Sequence, residues 1–222
     1  MKTKTYLEQL LLLAFAVSSS AVLLFRAPSA SAATVVSNLG ETTDGGFGIT
    51  FDGESSNGFA VGQFFTTGAQ ASTLNSVTLD LQMLSSGPFS VGLYRYNGTN
   101  PWTNPLLNLT PTASFADGLN TFTGAYALTA NTSYWIVLNP QNSISLAWKA
   151  TNSLDQTSNS GWTIGDSHGV VYLDKDNNGW QYGAPNVARM SIDATVVPEP
   201  TSAVLLLFGA SLCLQRSRKK SL

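Results

Sequence analysis

Apolar and polar residues alternate at every second position in several stretches of this chain, and a period of two predicts β-strands. In residues 77–83, apolar Val, Leu and Met positions alternate with polar Thr, Asp and Gln, and residues 89–94 and 190–196 repeat the pattern. Residues 134–138 are apolar throughout, which predicts a central strand that is covered on both faces. Polar, glycine-containing turns separate these stretches.

Weaker strand candidates lie at 35–39, 59–65, 120–122, 144–149 and 170–173. The middle of the chain shows no helical period of 3.6. About eight to ten short strands between turns predict an all-β fold, an antiparallel β-sandwich of jelly-roll type. A solenoid or propeller is not expected, because no repeat of roughly 20–50 residues is visible.

The N-terminal residues have the three parts of a secretory signal peptide. Lys2 and Lys4 precede an apolar stretch at 10–25, and Ala30 and Ala32 form a small-residue cleavage site. We predict that signal peptidase removes residues 1–32 by cleavage after Ala32, with Ala30 as the competing site. The alternative is an uncleaved N-terminal anchor.

A second apolar stretch, at 201–214, would rise about 21 Å as a helix, less than the ~30 Å of a bilayer core. The prolines before it prevent the helix from continuing inward, and residues 203–207 have no polar face. A purely basic tail follows the stretch and belongs on the cytoplasmic side of a membrane. We therefore predict a transmembrane helix in the inner membrane, with the middle of the chain outside it. The basic residues are Arg216, Arg218, Lys219 and Lys220.

The tripeptide Pro198-Glu199-Pro200, the apolar stretch and the basic tail together resemble the PEP-CTERM sorting signal of Gram-negative bacteria. The resemblance covers residues 197–222 and implies processing near the tripeptide by an exosortase, a membrane-embedded cysteine protease. It also implies that the protein is exported, passes through the inner membrane and reaches the cell surface or the extracellular space. Cys213 departs from the pattern and is interpreted as a small hydrophobic side chain facing lipid.

Residues 33–196 between the two signals form the predicted β-sandwich domain. Parts of it resemble the choice-of-anchor domains that often precede such sorting signals, most closely type R. The resembling segments are the strand at 74–83, the residues Val91-Gly92-Leu93-Tyr94, and 128–135. This resemblance implies a β-rich surface domain and assigns no activity to it.

The middle of the chain is acidic and has no cysteine. Between residues 33 and 197 there are four Lys or Arg and eleven Asp or Glu, a net charge of −7, and Cys213 is the chain's single cysteine. Nucleic-acid binding is disfavoured because phosphate contacts need clustered basic residues. Without disulfides, stability must come from sheet packing or from a bound ion.

One segment has the opening spacing of a calcium loop. Asp174, Asp176 and Asn178 alternate with other residues before Gly179, so three oxygen ligands could share one side of a tight turn. A complete EF-hand is excluded because Pro185 occupies the position of the bidentate Glu. The alternative interpretation is a hairpin turn without an ion.

Four aromatic residues occur in polar, loop-like surroundings and are candidate glycan contacts, because aromatic rings stack on the apolar faces of sugars. The alternative is that they close the ends of the core; Trp135 and Trp148 are assigned to the core itself. The candidates are Trp102, Trp162, Trp180 and Tyr182.

The sequence contains no recognisable catalytic arrangement. His168 is the only histidine, and neighbouring Asp166 and Ser167 on the same turn cannot form a relay with it. The leading hypothesis is therefore an exported, non-catalytic surface or matrix protein associated with exopolysaccharide. The alternatives are a carbohydrate-binding module, with or without calcium, and a secreted glycan-active enzyme that uses paired carboxylates.

Overall fold

Strands with alternating apolar and polar side chains need hydrogen-bonded neighbouring strands and a cover over their apolar face. The strands of this protein obtain both in one antiparallel sheet. The computed structural model describes residues 31–51, 59–98, 101, 104–141, 143–165, 170–174, 179–182 and 186–197. The strands are β1 (Ala33–Ser37), β2 (Gly45–Phe51), β3 (Phe59–Thr66), β4 (Ser72–Met83), β5 (Phe89–Arg95), β6 (Leu107–Pro111), β7 (Gly118–Leu128), β8 (Ser133–Pro140), β9 (Ile144–Thr151), β10 (Thr157–Ser158), β11 (Thr163–Ile164), β12 (Val170–Asp174), β13 (Gly179–Tyr182), β14 (Val187–Ala188) and β15 (Met190–Val196).

The prediction of an all-β antiparallel fold is confirmed for the described residues. They contain no helix, and hence none with the length and apolar character to span a membrane. The predicted signal peptide, apart from its last two residues, lies outside them. So does the predicted sorting signal after Val197.

The sheet is continuous and nearly barrel-shaped. Its main path runs β10-β1-β15-β4-β7-β6-β5-β8-β3-β12-β13; β11 lies beside β3, β9 pairs with β4, and β2 and β14 pair with β9. Strand β6 joins two halves, because it pairs with β5 along 107–109 and with β7 along 110–111. We call β3, β5, β8, β11, β12 and β13 the β8 half. The β4 half consists of β1, β2, β4, β7, β9, β10, β14 and β15.

The two halves enclose one main core. Leu74, Val77 and Leu79 of β4 are fully buried in it, as are Ile136 and Leu138 of β8. A β-bulge between Leu74 and Ser76 shifts the register of β4 against β7, which explains why the strand's alternation breaks before Val77. The predicted core residue Trp148 is also fully buried, and its Nε1 donates to the Arg189 carbonyl at 2.9 Å.

Strand β8 lies between β3 and β5, so the prediction of a central strand at 134–138 is confirmed. Every residue from Tyr134 to Leu138 is buried. Tyr134, Ile136 and Leu138 belong to the main core, whereas Trp135 and Val137 belong to a separate cluster. The outward face of the β8 half is therefore also covered.

Away from β6, the buried amide side chain of Gln63 joins the two halves, and that of Asn38 supports the same junction from within the β4 half. Gln63 of β3 is fully buried, and its Oε1 accepts a hydrogen bond from the Ala188 N–H at 2.9 Å. Asn38 donates to the Ala188 carbonyl at 3.1 Å and accepts from the Met190 N–H at 2.7 Å. These side chains satisfy backbone groups at the junction of β14 and β15, where the ladder is interrupted.

We expect Gln63→Leu to lower the free energy of unfolding by about 1–3 kcal/mol, because it leaves the buried Ala188 N–H without a partner. Gln82, which is exposed on β4, offers the matched control. Gln82→Leu should stay within about 0.5 kcal/mol of the unsubstituted protein. Urea denaturation of the purified proteins measures both values, and equal losses would contradict the role given to Gln63.

Candidate functional site

The predicted site residues divide into those that the structure describes and those that it does not. Trp162 and Trp180 are described together with their side chains, and Ala32 directly precedes β1. Asp174 and Tyr182 lie in β12 and β13. Outside the described residues lie Ala30, Trp102, Asp176, Asn178, Pro198, Glu199, Pro200, Arg216, Arg218, Lys219 and Lys220.

The predicted calcium loop connects two strands of a hairpin. Strands β12 and β13 are antiparallel, and Asp174 pairs with Gly179, as the hairpin interpretation predicts. The described residues contain no group of three His, Cys, Asp or Glu side chains that could hold a metal ion. Asp176 and Asn178 lie outside those residues, so calcium binding at this hairpin stays a prediction.

Trp162 is a core residue and is withdrawn from the candidate glycan contacts. Its side chain is 3% exposed and stacks on Phe65, with ring centroids 6.2 Å apart and an interplanar angle of 5°. A Cβ at Gly68 would lie 2.7 Å from Trp162 Cδ1, so the ring fits because position 68 has no side chain. A ring buried in this way presents no face to a ligand.

Trp180, in contrast, lies on the outward side of the β8 half. The buried residues there are Ala60, Trp135 and Val137, and half-buried rings pack against them. Successive side chains of a strand point to opposite faces, so these residues point away from the main core. We call the surface formed by the following rings the aromatic face: Phe64, Tyr94, Tyr96, Trp135 and Trp180.

Trp135 is at the centre of the aromatic face. The register places it between Phe64 on β3 and Tyr94 on β5. The Tyr96 ring stacks on it with centroids 6.0 Å apart and an interplanar angle of 19°. Phe64 meets it edge-on, with centroids 5.2 Å apart at 67°. Both are geometries that aromatic pairs prefer.

Glycines beneath the aromatic face let its rings lie against the sheet. A Cβ at Gly92 would be 2.8 Å from Tyr94 Cε2, and one at Gly62 would be 3.2 Å from Trp135 Cε3. The Phe64 ring likewise occupies the space of a Cβ at Gly165. Aromatic rings that cover glycines restore packing that the sheet would otherwise lack.

Two polar atoms on this side of the sheet have no hydrogen-bond partner. Trp135 is 1% exposed and its Nε1 is unpaired; the Oδ1 of Asn139, two outward positions further along β8, is also buried and unpaired. Such atoms are rare in folded proteins. Tyr96 donates its hydroxyl to the Gly98 carbonyl at 2.8 Å, and burial raises the pKa of the Tyr94 phenol.

The outward side of the β4 half has a different chemistry. Hydroxyl pairs cross its strands, for example Thr78 with Thr121 at 2.9 Å. The Asp193 carboxylate accepts hydrogen bonds from Thr34 at 2.7 Å and from Ser76 at 2.8 Å. These side chains suit contact with water. The β4 half therefore has a polar outer surface.

A groove of about 290 Å³ opens beside β11, and Phe64 is at its edge. Of its polar lining side chains, Asn38 bonds the junction of β14 and β15 and Gln156 accepts from the Ile164 N–H at 2.6 Å, while the exposed Asp155 also lines the groove.

Three charged side chains form a cluster that links β4, β9 and the residue before β15. Asp80 is 7% exposed and pairs with Lys149 at 2.9 Å and with Arg189. Arg189 also donates to the Thr43 hydroxyl at 2.6 Å and to the Leu39 carbonyl. The charges compensate one another and Arg189 also bonds a backbone carbonyl, so we interpret the cluster as structural, although Arg189 Nε is buried without a hydrogen-bond partner.

Sequence reasoning missed Phe64, Tyr94, Tyr96 and Asn139 as parts of a surface. One signal was present: the alternation in 89–94 puts Gly92 and Tyr94 on the outward face, and 134–138 is apolar on both faces. An apolar outward face on a central strand requires apolar neighbours on the flanking strands. That argument leads to Tyr94 on β5 and to Phe64 on β3.

Comparison with known proteins does not place the chain in a family. No protein-family model matches it, and no curated protein resembles it significantly. The resemblances to PEP-CTERM proteins and to choice-of-anchor domains therefore stay predictions from the residues that show them.

We expect Asp80→Asn to destabilise the protein by about 3–5 kcal/mol, because it leaves two cations without their carboxylate. The destabilisation should be closer to about 3 kcal/mol than to about 5 kcal/mol, because Lys149 is 29% exposed. The exposed Asp155 provides the control, and Asp155→Asn should change stability by less than about 0.5 kcal/mol. Denaturation in urea compares the variants, and a neutral Asp80→Asn would refute the structural interpretation.

The Tyr94 phenol should make stability fall at alkaline pH. Burial raises its pKa in the folded state above the ordinary 10.0, so this contribution is complete below pH 10 and is lost as the pH rises through the folded-state pKa. Between pH 9 and 11, the free energy of unfolding should fall more steeply for the unsubstituted protein than for Tyr94→Phe. Identical slopes would show that Tyr94 makes no such contribution.

Proposed function

We propose that the protein is an exported, non-catalytic component of the cell surface or extracellular matrix. In this proposal signal peptidase removes residues 1–32, an exosortase processes the sorting signal at 197–222, and the mature protein associates with exopolysaccharide. We further propose that the body is a jelly-roll-like variant of the β-sandwich, with β6 passing from one half to the other.

The main support is the position of the two chain ends of the folded body. Strand β1 begins at Ala33, directly after the predicted cleavage site, and β15 ends at Val196, two residues before Pro198. Ala33 pairs with Ala194, so the ends lie side by side at one end of the neighbouring strands β1 and β15. Removal of both signals would take no residue from any strand.

The last backbone contacts support the same boundary. The Val197 N–H donates to the Ala71 carbonyl at 2.9 Å, which attaches the chain directly before the tripeptide. Strand β15 lies between β1 and β4 and is therefore central in the sheet. A cut near Pro198 would leave this strand fully paired, and the body would remain folded.

A second function, carbohydrate binding, is favoured by the position of Trp180 on the aromatic face. Exposed or half-exposed aromatic rings on a rigid sheet provide the surface on which sugar rings stack. Calcium held by Asp174, Asp176 and Asn178 would stabilise the hairpin that precedes Trp180. A polysaccharide-binding body would explain how a processed protein is retained outside the cell.

The sorting proposal predicts a defined mature protein. Mass spectrometry of material from cells should find an N-terminus at Ala33 and a C-terminus near Pro200. Deletion of residues 198–222 should abolish that cut and change the protein's location, whereas deletion of Ser221 and Leu222 alone is the control and should change neither. A deleted form that is still cut and reaches the surface in normal amount would refute the proposal.

A further inference from the structure

We propose that the aromatic face binds a neutral polysaccharide chain, with sugar rings stacking on the half-buried rings of Phe64, Tyr94, Tyr96 and Trp180 that surround Trp135. The inference rests on the proposed function, because an exported protein meets polysaccharide outside the cell. It assigns the ligand class and the rings of the site, and it moves the centre of binding from the loops to the strands of the β8 half.

The residues of the site form rows that run across β3, β8 and β5. The first row is Phe64, Trp135 and Tyr94, and in the next row Val137 lies between Gly62 and Gly92. Two rings of the first row lean over these glycines, so apolar ring surface lies along the sheet. Sugar rings stack on aromatic rings that are presented in this way.

The charge of the site selects a neutral ligand. The aromatic face contains no Asp, Glu, Lys or Arg side chain, and burial raises the pKa of the Tyr94 phenol. The body has a net charge of −7 between residues 33 and 197, from four basic and eleven acidic side chains. An anionic polymer would be repelled by this charge and would find no cation in the aromatic face.

The two halves of the sheet differ in their outward side chains. In the β4 half the outward positions are occupied by Thr, Ser and Asp, which hydrogen-bond across the strands. In the β8 half four half-buried rings cluster around Trp135. Apolar ring surface for stacking on a sugar is therefore concentrated on the β8 half.

Indole NMR signals test the proposal directly. The full chain, ¹⁵N-labelled at tryptophan and held in a detergent without sugar groups, is titrated with soluble oligosaccharides of laminarin, galactomannan, hydroxyethyl cellulose and dextran. With at least one probe, the Trp135 and Trp180 indole signals should shift. The Trp148 indole, which donates to Arg189, is the internal reference and should not move. Unchanged Trp135 and Trp180 signals with every probe would overturn the proposal.

Matched variants locate the binding surface. Affinity electrophoresis in gels that contain the polymer bound in the NMR experiment should show an association constant at least about tenfold lower for Tyr94→Ala and Trp180→Ala. Tyr126, a half-buried tyrosine of the β4 half, is the control, and Tyr126→Ala should bind like the unsubstituted chain. Equal retardation of all variants would refute the site.

Two further outcomes would also refute it. Retardation by alginate, an anionic polymer, equal to that by the neutral polymers would contradict the charge argument. Sedimentation as a dimer that Trp180→Ala converts to a monomer would show that a second copy of the chain covers the aromatic face. These measurements need no export or processing, so a failure of the sorting proposal in cells would leave their result unaffected.

Discussion

The double burial of strand β8 is the constraint on which the rest of the structure depends. A strand paired on both sides and apolar at five consecutive positions must be covered above and below. The main core covers Tyr134, Ile136 and Leu138, and the sheet curls around that core through β6. No second layer from the described residues covers the other face, so the flanking strands supply rings that cover Trp135 and Val137.

The alternation of residues was enough to predict the longest strands and the all-β class, and it failed where pairing partners decide the structure. Strand β2 was not predicted, because Gly45, Gly46 and Gly48 weaken its intrinsic preference for a strand. Its complete pairing with β9 supplies the missing stability. Strand β7 was predicted only at 120–122 but extends over Gly118–Leu128, since β4 pairs with it on both sides of the bulge.

The candidate site was harder to predict than the fold because it depends on contacts between distant residues. Trp162 and Trp180 occur in similarly polar surroundings in the sequence, yet one is buried and the other lies on the aromatic face. The difference comes from Gly68, almost a hundred positions before Trp162, which leaves room for its ring. Local composition has no information on such a pair, whereas the strand period could have identified Tyr94.

The proposed sorting and the proposed glycan binding concern different parts of the sheet. The proposed sorting concerns one end of β1 and β15, where Ala33 pairs with Ala194 and next to which both predicted signals begin or end in the sequence, whereas the aromatic face belongs to the β8 half. Because the body has no disulfide and its core is complete between Ala33 and Val197, processing would remove nothing that holds β3, β5 and β8 in register. A glycan-binding surface built on central strands would thus be equally formed before and after the cuts. Retention outside the cell would then depend on the polysaccharide present and not on the processing itself.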